Sequence, residues 1–185
     1  MRQARDAGAA VQSGLDFLER AITDDGAWPS RFYRNLSLSG AWTHEAPPFI
    51  AALGLLALNL AEPRCAALRA RSRDFLLRRA EPPGVWRYLR KLPPDADDTA
   101  LCSLAVGGDP RRLMSQRPIQ LLLDCRNADG LFRTWIVPAK LYQSDLPAAH
   151  DVDSVVNANV LAWLGGGGGE KKRAKWVEEV GFDGQ

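Results

Sequence analysis

The sequence Leu92-Pro93-Pro94-Asp95-Ala96-Asp97-Asp98-Thr99-Ala100-Leu101 marks the start of a helix. Proline lacks the backbone N–H that a helix interior requires, whereas aspartate is favoured at the N-cap and in the first helical turn. The pattern therefore predicts a helix from about Asp97 to Val106, preceded by a proline-rich entry. Three carboxylates, those of Asp95, Asp97 and Asp98, lie together at the start of this helix.

The three carboxylates have two interpretations. The helix dipole favours ionised aspartates there, while the crowding of like charges raises the pKa of at least one of them. If Asp97 also lies among apolar side chains, desolvation adds to this effect, and one carboxyl stays protonated near neutral pH as a strong general acid. In the other interpretation, Asp95 caps the helix, and Asp97 and Asp98 only complement its dipole.

Helices of two kinds alternate along the chain. Amphipathic helices are predicted at about Ala4–Ala21, Arg64–Ala80, Arg112–Cys125 and Glu170–Val180. Helices that are more apolar and poorer in charge are predicted at Phe49–Leu60, Asp97–Val106 and Asp153–Leu164. The alternation is typical of an outer layer of helices that covers an inner layer. The predicted fold class is therefore all-α, with about seven helices.

A turn that contains glycine closes each outer helix, and in the first three turns an aromatic residue follows two positions later. Glycine suits the left-handed end of a helix, and the aromatic side chain can fold back as a wedge between neighbouring helices. The pairs are Gly26 with Trp28, Gly84 with Trp86, and Gly130 with Phe132.

Acidic residues also precede the other inner helices. The segment Asp151-Val152-Asp153-Ser154 follows Asp95-Ala96-Asp97-Asp98 after 56 residues and repeats its acids, and His44-Glu45 precedes the first inner helix. We therefore expect all three helix starts, each with a carboxylate, to lie at the same end of the assembly.

Two connections, Pro29–Pro47 and Phe132–His150, run for about twenty residues each, and loops of that length are often functional. Surface packing is the alternative role for their side chains. The side chains of interest are Arg31, Tyr33, Arg34 and Trp42 in the first connection, and Arg133, Trp135, Lys140 and Tyr142 in the second.

We predict a single domain over residues 1–185. It has three helix pairs in 1–164, a glycine linker at 165–169 and half of a fourth repeat at 170–185. The incomplete last repeat would leave an apolar edge, to be covered by a partner, by the C-terminal helix or by further sequence.

Composition excludes several classes of protein. Hydrophobic residues make up 46% and charged residues 25% of the chain, which is typical of a globular domain. The net charge of +2, with scattered basic residues, gives no electrostatic argument for a nucleic acid partner. Cys65, Cys102 and Cys125 have no CxxC spacing, so they indicate a reducing compartment rather than a disulfide framework or a zinc cluster.

The first residues, Met1 to Gly14, lack the pattern of a signal peptide. The longest apolar run, Pro47–Ala61, is shorter than the roughly 20 residues of a membrane span. We therefore expect a cytoplasmic protein, with peripheral contact to a membrane surface left open.

The segment Asp95-Ala96-Asp97-Asp98-Thr99-Ala100 resembles the DxDDTA signature of class II terpene cyclases. The helix ends with Gly and an aromatic residue are similar to the QW repeats of the same proteins, although the glutamine is absent. The chain thus resembles the terpenoid cyclase and prenyltransferase superfamily, in particular the squalene-hopene cyclase and class II diterpene cyclase type.

This resemblance implies a partial α/α toroid of alternating outer and inner helices. It implies that Asp97 protonates an isoprenoid double bond or epoxide, that Asp95 and Asp98 tune this acid, and that aromatic walls stabilise the resulting carbocations. The substrate-binding candidates are Trp28, Trp42, Trp86, Trp135, Tyr142, Asp151 and Asp153.

The implied substrate is an apolar isoprenoid, and no cofactor is expected. Mg²⁺ would enter only with a diphosphate substrate, for which Arg31, Arg34 and Lys140 are candidates, with solvated surface charge as the alternative. We reject a zinc site, because His44 and His150 suit structural or solvent-facing positions better.

The chain supplies about half of such a toroid, so a homodimer or a partner chain would complete it. The alternative function is a non-catalytic helical-repeat module that binds a lipid or protein, or an inactive fragment of a cyclase, in which the three aspartates are caps.

Overall fold

Seven α-helices and one two-stranded antiparallel sheet make up the part of the chain that the structure describes. The structure is a computed structural model, and it describes residues 2–33, 35–61, 65–107, 117–143 and 147–166. These residues form two compact units, one ending at Arg78 and the other beginning at Arg79. The prediction of a single domain over 1–185 stays a prediction.

The first unit contains three helices and the sheet. Its helices are α1 (Arg2–Ala21), α2 (Pro48–Leu60) and α3, which begins at Ala66 and ends at Arg79, at the unit boundary. Their ends differ from the predicted ends by two residues or fewer. Helix α2 begins with proline at its first position, where the missing N–H has no intrahelical partner to lose.

A β-hairpin occupies the connection that was predicted as a long loop. Strand β1 (Ser30–Tyr33) pairs antiparallel with β2 (Trp42–Glu45). The sequence between them lacks the two-residue turn signals, such as Asn-Gly, that identify a tight hairpin, so local patterns gave no indication of it.

Trp28 is the wedge between α1 and α2. Its indole N–H donates to the Leu18 carbonyl of α1 at 3.0 Å. On the other side a Cβ atom added to Gly54 of α2 would lie 2.7 Å from the Trp28 ring, so the ring packs directly against the helix backbone. The predicted wedge role is confirmed for this residue.

Helix α3 packs against the turn that closes α1. A Cβ atom added to Gly26 would lie 2.2 Å from the Arg71 carbonyl oxygen, so only glycine permits this approach. The Arg71 guanidinium donates to the Thr23 carbonyl at 2.8 Å, and that of Arg78 donates to the Asp25 carbonyl at 2.7 Å. These two bonds tie α3 to the backbone of the turn.

The second unit contains α4 (Ala96–Val106), α5 (Arg117–Asp124), the short α6 (Ala139–Tyr142), a 3-10 helix (Pro147–His150) and α7 (Ser154–Gly166). Helices α4 and α7 pack on each other. Their shared core consists of Ala96, Ala100, Leu122, Phe132, Val156, Val160 and Trp163.

Three predicted segments differ from this outline or lie beyond it. The Phe132–His150 connection contains α6 and the 3-10 helix. Helix α7 continues through Gly165 and Gly166, the first two residues of the predicted linker. The rest of the linker and the predicted helix Glu170–Val180 lie outside the described residues.

The three closing turns share one hydrogen-bonding pattern. The N–H three residues before the glycine donates to the carbonyl just after the glycine, and the glycine N–H donates back to the first residue. Each glycine has a positive φ, which costs other residues strain, and each following aromatic side chain is buried. The first bond joins Thr23 to Ala27 at 2.9 Å, Glu81 to Val85 at 2.8 Å and Asn127 to Leu131 at 2.8 Å.

Candidate functional site

Asp95 is the N-cap of α4. Its Oδ1 accepts the Asp98 backbone N–H at 2.7 Å, and its Oδ2 accepts the Tyr88 N–H at 3.3 Å. Burial raises the pKa of this carboxyl to about 6, although the two N–H donors act against the shift, and the nearby charge of Asp97 adds to it. The capping role is confirmed, and Asp95 is the carboxyl whose pKa approaches neutrality.

Asp97 and Asp98 point to different surroundings, because successive residues of a helix are about 100° apart. Asp98 is buried, and its charge, after burial itself, raises the pKa of Tyr88 and of Cys102. Asp97 is only half-buried, and its Oδ1 accepts a hydrogen bond from the Asn159 side chain of α7 at 2.7 Å. The buried carboxyls of the cluster are therefore those of Asp95 and Asp98, and not that of Asp97.

Thr99 of the same segment has a structural partner. Its hydroxyl oxygen accepts the Trp86 N–H at 3.1 Å, which ties α4 to the closing turn before it. In the next repeat the Asn157 side chain ties α7 to the closing turn in the same way. It accepts the Phe132 N–H and donates to the Phe132 carbonyl, both at 2.9 Å. Thr99 and Asn157 are therefore equivalent positions.

This equivalence corrects the predicted alignment of the two acidic segments. Asp153 Oδ1 accepts the Val155 N–H at 2.6 Å, and the Asp153 carbonyl accepts the Asn157 N–H at 3.1 Å, as the Asp95 carbonyl accepts that of Thr99 at 3.2 Å. Asp153 thus matches Asp95, at a spacing of 58 residues instead of the predicted 56. The capping position, and not the number of acids, sets the register.

In the corrected register, α7 has no counterpart to the pair Asp97 and Asp98 of α4. Val155 and Val156 of α7 occupy the positions that Asp97 and Asp98 occupy in α4. Asp151 lies before the helix and is exposed, as is Asp153. Capping accounts for Asp95 and Asp153, but it does not account for the acids of the first α4 turn.

A short extended segment holds the starts of α4 and α7 together. The Thr134 carbonyl accepts the Ala96 N–H at 2.8 Å, and the Thr134 N–H donates to the Asp151 carbonyl at 2.8 Å. The Ile136 N–H donates to the Pro94 carbonyl at 2.9 Å. These two helix starts therefore lie at the same end of the second unit.

Trp135 and Tyr142 belong to the same connection, Tyr142 as the last residue of α6. The Tyr142 hydroxyl donates to the Trp135 carbonyl at 2.5 Å and accepts the Val137 N–H at 3.1 Å. The Arg133 guanidinium lies 4.7 Å from the centre of the tyrosine ring, and burial raises the pKa of the Tyr142 hydroxyl. These contacts fix the loop beside Asp95, while substrate contact by Trp135 or Tyr142 stays a prediction.

The other predicted site residues differ in exposure. Trp28 and Trp86 are buried in closing turns, whereas Trp42 is partly exposed on β2 beside Arg31 and His44. Lys140 and His150 are exposed, and Arg34 lies outside the described residues. Substrate binding by the three tryptophans stays a prediction.

Two observations concern metals and membranes. Within the described ranges no group of three or more His, Cys, Asp or Glu side chains is placed to hold a metal ion. In the same part of the chain no helix combines the length and the apolar character needed to cross a bilayer.

Sequence reasoning missed Asn157 and Asn159. The signal was present, because an asparagine within an otherwise apolar helix needs a hydrogen-bond partner. Here the Asn157 side chain hydrogen-bonds to the backbone of Phe132, and the Asn159 side chain hydrogen-bonds to the Asp97 carboxyl.

Comparison with solved structures supports a terpenoid cyclase-like fold. The structure is similar to that of a variant of the type II terpene cyclase MstE from Scytonema, solved in complex with geranylgeranyl dihydroxybenzoate, its substrate. The TM-score is 0.61 at 18% sequence identity, and the match covers 93% of this chain. The predicted fold class, a partial α/α toroid, is confirmed.

The match covers 50% of the cyclase, so this chain spans about half of its length. No protein-family model and no curated protein sequence matches the chain.

Proposed function

We propose that this protein is a class II terpene cyclase-like protein in which Asp97 starts the cyclisation of a polyprenyl substrate. The observation that carries the proposal is the environment of the Asp97 carboxyl. It lies between two buried aspartates, is half-buried itself, and is oriented by the Asn159 side chain at 2.7 Å. It is therefore the acid of the cluster that a substrate can reach.

The proposed first step is a proton transfer from Asp97 to carbon. The O–H bond of the protonated carboxyl breaks, and the π electrons of a substrate double bond form the new C–H bond. The second alkene carbon becomes a tertiary carbocation, and the electron pair of the O–H bond stays on the carboxylate. Ring closure follows when the next double bond attacks the cation.

The neighbours of Asp97 support this role electrostatically. An alkene is a very weak base, so its acid must be strong and well aimed. The Asn159 side-chain N–H, which donates to the Asp97 carboxyl at 2.7 Å, would stabilise the carboxylate that remains after the transfer. Asp95, with a pKa of about 6, can hold a proton within the cluster in weakly acidic solution.

The proposed substrate is an apolar isoprenoid chain, and a second copy of this protein or a partner chain would complete the cavity. Two observations support this: the similar cyclase binds a geranylgeranyl compound, and this chain spans about half of that cyclase. The protonation step itself uses only the carboxyl, and Mg²⁺ would serve only to bind a diphosphate.

The test is incubation of the purified protein with squalene, with farnesyl and geranylgeranyl diphosphate, and with a geranylgeranylated aromatic acid. We expect a cyclised product that Asp97→Asn abolishes. The matched control is Asp24→Asn, which changes an exposed aspartate in the α1 closing turn and should leave product formation unchanged.

The second candidate is a non-catalytic helical-repeat module that binds a lipid or protein. It is favoured by the capping role of Asp95 and by the burial of Trp28 and Trp86. Absence of product from all four substrates, with folded protein, would favour this module over the cyclase.

A further inference from the structure

We propose that the β1–β2 hairpin is a docking surface for an anionic lipid bilayer. The proposal does not rest on the proposed reaction. Leu36 and Leu38, in the connection between the strands, are 103% and 69% exposed, and Trp42 at the start of β2 is 41% exposed. Large apolar side chains grouped in one exposed segment indicate an interaction site more strongly than scattered ones.

The polar groups of the hairpin tip bond to one another. The Asn35 amide donates to the Ser39 carbonyl at 2.9 Å, and its oxygen accepts the Ser39 N–H at 3.2 Å. The Ser37 hydroxyl lies within hydrogen-bond distance of Asn35 at 3.0 Å and of Ser39 at 2.8 Å. Polar groups that are already paired lose less when they enter an apolar phase, so this tip is suited to shallow insertion.

The backbone at Leu38 is strained. Leu38 has a φ of 52°, in the left-handed region that a leucine rarely adopts. An asparagine at this position would tolerate the same backbone, and it would remove the apolar side chain.

One face of the hairpin combines aromatic and basic side chains. The strand register places Arg31 opposite His44 and Tyr33 opposite Trp42, so all four side chains lie on the same face. The Arg31 guanidinium lies 4.9 Å from the centre of the Trp42 ring, and the His44 ring meets that of Trp42 edge-on at 4.4 Å. Tryptophan, tyrosine and arginine are the residues that settle at the headgroup level of a bilayer.

The charge of the segment selects the kind of surface. The hairpin, residues 30–45, contains two basic residues, Arg31 and Arg34, and one acidic residue, Glu45, at the far end of β2 from the tip. Basic residues beside a membrane favour anionic lipids. Two leucines and one tryptophan form too small an apolar surface for a stable protein–protein interface, which buries roughly 800 Å² on each partner.

The experiment is co-sedimentation of the full chain with phosphatidylcholine vesicles that contain about 30% phosphatidylserine. We expect binding that weakens with added salt and in pure phosphatidylcholine vesicles. The double variant Leu36→Ser/Leu38→Asn should bind at least about tenfold more weakly, because both apolar anchors are removed. Leu60→Ser is the matched control: Leu60 is 92% exposed but lies at the end of α2, and its loss should not change binding.

Three outcomes would overturn the proposal. The first is absence of binding to anionic vesicles by the wild-type protein. The second is equal loss of binding in the double variant and in Leu60→Ser. The third is a fall in solution mass in the double variant alone, which would make the hairpin a contact between copies of this chain.

Discussion

Asp95 has two opposing effects at the start of α4. Its carboxylate caps the helix through the Asp98 N–H, which favours the charged form, while its burial favours the neutral form. Burial is the larger effect, because the pKa rises from its ordinary value of 3.8 to about 6. Ionised Asp95 is therefore a cost to the folded state at neutral pH.

This cost predicts a pH dependence of stability. Because the folded-state pKa is raised, the folded protein binds more protons than the unfolded chain between pH 3.8 and about 6, so stability gained from Asp95 increases as the pH falls through this range. Relative to Asp95→Asn, which keeps a capping oxygen but cannot ionise, the free energy of unfolding of the wild type should rise by on the order of 3 kcal/mol from pH 7 to pH 4. Urea unfolding of both proteins across this range measures the difference.

The comparison cancels the titration of groups far from Asp95, because these are common to both proteins. A difference that stays constant with pH, or one that falls as the pH falls, would contradict the assignment of the raised pKa to Asp95.

Two asparagines of α7 offer a matched pair of variants. Asn159 is half-buried and bonds to Asp97, so Asn159→Ala should lower kcat by about tenfold to a hundredfold with little change in KM, and change the free energy of unfolding by less than about 1 kcal/mol. Asn157 is buried and bonds to both backbone groups of Phe132, so Asn157→Ala should cost about 2–4 kcal/mol of stability. Urea unfolding and steady-state kinetics separate the two effects.

Equal destabilisation by both substitutions would refute the distinction between a structural asparagine and one that positions the acid. A loss of stability without loss of turnover in Asn159→Ala would remove Asn159 from the proposed mechanism.

At the scale of elements, the contact between the first closing turn and α2 depends on one glycine. A methyl group at Gly54 would lie 2.7 Å from the buried, rigid ring of Trp28, so Gly54→Ala should destabilise the protein by about 1–3 kcal/mol in spite of the better helix propensity of alanine. Gly14 of α1 has no atom within 4 Å of the same position, so Gly14→Ala should stabilise by about 0.5–1 kcal/mol. Thermal or urea unfolding gives both values, and destabilisation by Gly14→Ala of the same size would contradict the packing argument.

The helices and their closing turns could be predicted from sequence, whereas the hairpin and the exact register could not. Periodicity and glycine position are local properties, so the described parts of α1 to α5 and α7 lie where the pattern indicates. The partners of a strand depend on residues that are distant in sequence. The match of Asp153 to Asp95 depends on which residue caps, and acid content alone misaligned the two helices by two residues.

The presence of the acid cluster could be predicted from the sequence, but which of its carboxyls is buried and which is half-buried could not. The segment from Asp95 to Thr99 indicated three carboxylates at a helix start, and the structure places them there. Which carboxyl is buried follows from the side of α4 that faces the core, and which is oriented follows from Asn159, a residue of another helix.

At the scale of the whole molecule, an exposed apolar face adjoins the proposed acid. Helix α7 has no charged residue, and it exposes Val155, Ala158 and Ala162 along the same side as the half-buried Asn159. A carbocation reacts rapidly with water, so a cyclase must cover such a face during the reaction. In the proposed function, a second copy of the chain or a partner chain provides this cover.

We therefore expect specific cyclase activity to rise with protein concentration and to reach a plateau where the solution mass doubles. Light scattering and product analysis over the same dilution series provide the measurement. Activity that is independent of concentration in a monomer would show that no second copy is required.

The shared bonding of the three closing turns bears on how such a chain can change in length. Each turn makes the same pair of backbone hydrogen bonds within five residues, and the second and third turns also bond to the inner helix that follows, through Thr99 and Asn157. An in-frame duplication of either of these two repeats would carry the bonds within the turn and the bond to the inner helix with it. One repeat among several can then acquire or lose a pair of acids without disturbing the hydrogen bonds that the repeats share. Helices α4 and α7 differ in this way.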